Sequence, residues 1–114
     1  MNPVVPTAGT LADRAATLLQ ALGGTPGQVA ASLERRGCHG VAGACTVCPI
    51  AVYLMRSDLG LHHVAVEEDI AVLFTGGAGQ DYTTVALPDP VQQFIARFDR
   101  GGYRQLLAGG ARHG

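Results

Sequence analysis

Cys38, Cys45 and Cys48 fall within one short segment, with His39 beside the first and Pro49 directly after the last. Cysteine and histidine at such spacing are compatible with three chemistries. With His39 as a fourth ligand, Cys38, Cys45 and Cys48 would complete a Cys3His tetrahedron of the kind zinc takes. Cys45-x-x-Cys48 has zinc-knuckle spacing, but a strong zinc pattern has two such pairs, and adjacent residues such as Cys38 and His39 rarely bind one ion. His62 or His63 is the substitute for His39, and only one of them, since neighbours on a strand point to opposite faces. The second chemistry is redox, with Cys45 and Cys48 as a pair at a helix start, where the helix dipole favours a thiolate. In thioredoxin-like motifs the first cysteine opens the helix and the second lies inside it. Here Pro49 places Cys48 at the cap and Cys45 outside, and the βαβ surroundings are missing. The third reading is packing: cysteine is a small apolar side chain that cores accept readily. Packing is the leading reading of the cluster.

The remaining residues narrow the chemistry further. All eight basic residues are arginine, so Schiff-base chemistry and a phosphate-loop lysine are excluded. A net charge of −1 supplies no basic face for nucleic acid. Gly76-Gly77-Ala78-Gly79 would cradle a phosphate only ahead of a helix; a β-rich run follows, so it reads as a hairpin loop. Glu67, Glu68 and Asp69 suit a bound cation, but such a cluster is more often a solvated turn. His39, His62, His63 and His113 build no Ser/His/Asp constellation by spacing. No apolar run is long enough to cross a membrane, and residues 1–10 lack the features of a signal peptide. An odd cysteine count argues against a disulfide framework, and the expected compartment is the cytoplasm, where thiols stay reduced. The use of Arg without Lys, with abundant Ala and Gly, matches a GC-rich bacterial genome.

The elements that must position these residues follow from periodicity and punctuation. Residues 1–9 read as a flexible arm, 10–108 as a single α+β domain and 109–114 as a loose tail. Thr10 caps a first helix with Asp13 three residues on, and Leu11, Ala15, Leu18, Leu19 and Leu22 mark its apolar face. Gly23-Gly24 stop it. Thr25-Pro26-Gly27-Gln28 repeats the start signal, and Gly37 ends a second helix whose last turn holds Arg35 and Arg36. Two helices joined by Gly-Gly suggest an αα-hairpin. After the cysteine loop, Pro49 opens a third helix reaching about Asp58, although the run Ile50–Met55 also suits a buried strand. Three strands come next. Val64 and Val66 alternate with Ala65 and Glu67; Ile70, Val72 and Phe74 alternate with Ala71, Leu73 and Thr75; Tyr82–Leu87 forms the third. Their short connections imply an antiparallel meander. Asp89-Pro90 then starts a helix with Val91, Phe94, Ile95 and Phe98 on one face, and a last short helix carries Tyr103, Leu106 and Leu107.

Two segments carry a resemblance: Cys48-Pro49-Ile50-Ala51-Val52-Tyr53-Leu54, and Val85 through Tyr103, with Leu87-Pro88-Asp89-Pro90 at its centre and Phe98-Asp99-Arg100-Gly101-Gly102-Tyr103 at its end. Together they span about a quarter of the chain. The pair resembles a group of small actinobacterial proteins to which no function is attached. In that group the cysteine before the proline, Cys48 here, is the recurrent one, while counterparts of Cys38 and Cys45 are less regular. The resemblance implies that a helix opens at Pro49, and it implies no activity.

The expected architecture is therefore α+β: N-terminal helices, a three-stranded antiparallel meander, and a C-terminal helix pair covering one face. A sheet that small leaves edges, which makes a homodimer through a strand conceivable. The expected function is a small non-enzymatic binding or accessory module with a protein or small-molecule partner, no nucleic acid, no membrane and no cofactor. The alternative is a thiol protein using Cys38, Cys45 and Cys48, either as a structural zinc site or through a redox pair.

Overall fold

Thr25 shows how closely the start signals translate into structure. Its side-chain oxygen accepts the Gln28 backbone N–H at 3.1 Å, and Pro26 occupies the first turn, where no N–H is needed. The Gln28 side chain reaches back one residue further than a capping box requires and accepts the Gly24 N–H at 2.8 Å. Gly37 at the other end takes a left-handed φ of 69°. Its N–H then reaches Glu34 O at 3.1 Å and the Cys38 N–H reaches Leu33 O at 2.9 Å, a Schellman closure that sets the direction in which the cysteine segment leaves the helix. Gly101 and Gly102 close a later helix with the same pair of bonds, to Phe98 O and Arg97 O.

The computed structural model describes residues 11–43, 46–75 and 81–107. The elements are α1 (Leu11–Gln20), α2 (Pro26–Arg35), α3 (Pro49–Arg56), β1 (His63–Val66), β2 (Ile70–Phe74), β3 (Tyr82–Ala86), α4 (Asp89–Asp99) and a 3-10 turn, Arg104–Leu106. The order is the α+β order expected. The arm 1–9, the Thr10 cap, Cys45, the Gly76–Gly79 loop and the tail from 109 lie outside the described residues. Among the described residues no helix is long and apolar enough to cross a membrane.

The three strands form one antiparallel meander in the order β1-β2-β3. Val64 pairs with Leu73 and Val66 with Ala71, and Ala71 in turn faces Val85. These five residues are the buried face of the sheet. Strand β2 is apolar on both faces, and its larger set, Ile70, Val72 and Phe74, lies on the half-buried outer side. His63, Phe74 and Tyr82 align across that side with ring centroids 5.5 and 6.0 Å apart.

The helices depart from expectation in detail. Gly101-Gly102 end α4 as expected, and the short element after the left-handed Tyr103 (φ 53°) is a 3-10 turn, not an α-helix. The C-terminal pair does not provide the sheet's main cover: α1 packs on β3 and α3 on β1, while α4 packs chiefly on α2. The helices flanking Gly23-Gly24 accordingly have other elements, not each other, as principal partners. The third helix stops at Arg56, and Asp58 turns the chain with a φ of 58°.

The core joins these layers through Leu19, Leu33, Ile50, Leu54, Leu73, Phe94, Phe98 and Leu106, all fully buried. Phe94 stacks on Phe98 at 5.7 Å and on Tyr103 at 5.2 Å, an arrangement that supports the left-handed backbone at Tyr103.

Candidate functional site

The cysteine segment is held from three sides. Gly40 N–H donates to Leu106 O at 2.8 Å, and Gly40 bridges to Leu107. Val41 N–H donates to Val47 O at 2.9 Å, which closes the neck of the loop. Gly43 N–H donates to Asp99 Oδ1 at 2.9 Å, which ties the loop to the end of α4. At Gly40 the backbone passes so near residues 47–49 that a Cβ would collide with the Val47 carbonyl and the Cys48–Pro49 peptide. Only glycine permits that crossing.

Crossing in this way sends the two described cysteines to different places. Cys38 is buried where α2 ends and opens onto a cleft between α1 and α3. Cys48 is buried at the N-cap of α3 and opens onto a second cleft, between the β1–β2 turn and α4. Neither is in a disulfide. His39 is exposed, its Nδ1 3.2 Å from the Gly37 carbonyl, and His62 and His63 are exposed near the sheet edge. Among the described residues no group of three or more His, Cys, Asp and Glu side chains is placed to hold a metal ion. Cys45, which both the zinc and the redox arrangements require, lies outside the described residues.

The cleft at Cys48 has a volume of about 600 Å³. Glu67, Glu68 and Asp69 come to it from the β1–β2 turn and Asp99 from the last turn of α4, with Gln92 and Ile95 on the wall between. The chain has nine acidic residues, and four of them line this one concavity, with no arginine or histidine among the described residues of its walls. Gln92 is anchored by donating to Leu87 O at 2.8 Å. The acidic triplet was visible in the sequence as a turn. Asp99 was not, because thirty residues and an intervening hairpin separate it from Asp69.

The cleft at Cys38 is smaller, about 400 Å³, and opposite in charge. Arg36 and Arg56 stand on its rim with Leu18, Ala21 and Tyr53. The Tyr53 hydroxyl donates to Leu18 O at 2.8 Å, which fixes the ring, and the Arg36 guanidinium carbon lies 5.5 Å from that ring's centroid. Arg56 Nη1 donates to Gly37 O at 3.0 Å and to Arg36 O at 3.4 Å, satisfying carbonyls at the end of α2. Burial pushes the Cys38 thiol up from its ordinary pKa, against the opposite pull of Arg56 and Arg36. Burial likewise raises the Tyr53 phenol, with Arg36 pulling the other way. Sequence spacing placed Arg36 at a helix end. It gave no sign that Arg56 returns to the same spot.

Comparison with protein-family models, curated proteins and solved structures finds no match to this chain.

Proposed function

We propose that the protein is a small non-enzymatic binding module of the cytoplasm, and that its recognition surface is the acidic cleft between the β1–β2 turn and α4. The observation that carries this reading is the gathering of Glu67, Glu68, Asp69 and Asp99 around one cavity with no basic residue among the described residues of its wall. Carboxylates so placed raise the local concentration of cationic groups, and an Arg or Lys side chain of a partner protein is the group that complements them. Ile95 and the buried Cys48 supply apolar contact for the aliphatic stem of such a side chain.

An oligoarginine peptide titrated at low salt tests the proposal. Binding is expected to weaken as salt rises and to fall about tenfold in the Glu67→Gln/Glu68→Gln/Asp69→Asn variant, since exposed pairs contribute up to about 1 kcal/mol each. Binding that this variant leaves unchanged would refute the assignment of the cleft.

The alternative is a thiol protein using Cys38, Cys45 and Cys48 as a zinc site or Cys45 and Cys48 as a redox pair. Its support is the place of Cys48 at the N-cap of α3, ahead of Pro49. Elemental analysis of chelator-free protein with native thiol titration separates the two readings. One zinc per chain with protected thiols, or a reversible Cys45–Cys48 disulfide, would favour the alternative.

A further inference from the structure

We propose that the cleft between α1, α3 and the end of α2 is an anion site, in which Arg36 and Arg56 grip the carboxylate or phosphate head of a small ligand with a compact apolar body. Two guanidinium groups on the rim of one concavity repel each other unless an anion sits between them. Among the described residues no carboxylate lines this cleft.

Both groups are held in place by contacts that leave them able to bind. Arg36 rests on the Tyr53 ring, which is itself anchored through its hydroxyl to Leu18 O. This cation–π contact spends none of the guanidinium's N–H donors on a hydrogen bond. Arg56 commits Nη1 to Gly37 O and Arg36 O. A further Arg56 donor engages the Cys38 thiol, which opens onto the same cleft, so the guanidinium is fixed facing it. Two planar forks fixed on one cleft suit the paired oxygens of a carboxylate or phosphate, which Arg binds bidentately.

The rest of the cleft selects the ligand's body. Leu18 and Ala21 form an apolar wall, and the Cys38 thiol is kept protonated near neutral pH by burial, so it adds no competing negative charge. A volume of about 400 Å³ admits a compound of the size of benzoate or phenyl phosphate. This site is separate from the acidic cleft and opposite to it in charge, so either assignment can fail without the other.

The test is a titration of the full-length protein, followed by NMR, with benzoate, phenyl phosphate and inorganic phosphate. Sodium chloride at matched ionic strength is the control. The expected result is saturable shifts of the Arg36 and Arg56 Nε–H signals and of the Gly37 and Cys38 amides. Arg36→Gln is the decisive variant, since the hydrogen bonds Arg36 donates within the fold come from its backbone N–H, which the substitution keeps. It should weaken binding at least tenfold with an unchanged melting temperature. Peptide-resolved alkylation gives a second readout: bound ligand should slow the reaction at Cys38 and not at Cys48. Saturation by benzoate and not by either phosphate assigns a carboxylate head; saturation by the phosphates alone assigns a phosphate. Shifts that chloride reproduces, or that survive Arg36→Gln, would overturn the site, as would the absence of saturable shifts with all three probes.

Discussion

Cys38 is the residue at which burial and charge compete most directly. Desolvation raises its pKa while Arg56 and Arg36 oppose that rise, and the neighbouring Tyr53 phenol is raised as well. A thiol with a higher pKa in the fold than in the unfolded chain holds its proton more tightly when folded. The stability this gives is complete below the unfolded value, about 8.5, and is lost as pH rises through the folded value. Melting temperature is therefore expected to be level around neutrality and to fall in the alkaline range. Cys38→Ala should flatten the first part of that fall, leaving the part due to Tyr53 above about pH 10. A thermal-melt series across the alkaline range checks it, and an equally steep fall in the variant would remove Cys38 as the cause. At this scale the sequence was legible for types and not for directions. Three cysteines and a histidine in one segment drew attention to this loop. A cysteine side chain carries no periodic signal that says which way it points, and the backbone crossing at Gly40 decided that Cys38 and Cys48 face opposite clefts. The partnership of Arg36 with Arg56 was equally hidden, because it depends on how α3 lies against the end of α2.

Helix ends were the most legible elements, since each depends on a few adjacent residues. The Thr25-Pro26 start and the Gly37 stop of α2 are both realised through bonds within the segment itself. Thr25→Ala should cost about 1 kcal/mol through loss of the 3.1 Å bond to the Gln28 N–H. Urea unfolding would show it as a lower midpoint with an unchanged slope, and a change below a few tenths of a kcal/mol would mean that the Gln28 contact to Gly24 carries the cap instead. The strands were legible as strands, and their inward faces were not. Alternation identifies the inside only where one face is polar, and β2 is apolar on both. The last short helix was legible as an element but not as a 3-10 turn, for a related reason. Tyr103, Leu106 and Leu107 have helical spacing, but the left-handed turn at Tyr103 is set by its stacking on Phe94, a contact between elements.

At the scale of the molecule, the α+β order came through because short connections leave few topologies, whereas the assignment of helices to faces did not. The long-range tie that matters most joins Gly40 to Leu106 and Leu107. Leu106 is fully buried, and its carbonyl accepts the Gly40 N–H. Leu106→Ala should cost about 2–5 kcal/mol as a core truncation. Beyond that general loss it should loosen the neck of the cysteine loop, so that alkylation at Cys38 accelerates more than exchange of the amides in β2. Peptide-resolved alkylation alongside hydrogen exchange distinguishes the two. Uniform acceleration everywhere would mean that Leu106 supports the core alone and not the loop in particular.

The same tie has a bearing on biosynthesis. The ribosome delivers Gly40 long before Leu106, and the loop between α2 and α3 acquires its outer support only when that later stretch has left the exit tunnel. During translation Cys38 is then more open to oxidants and electrophiles than in the finished protein, where it is buried and reached only from its cleft.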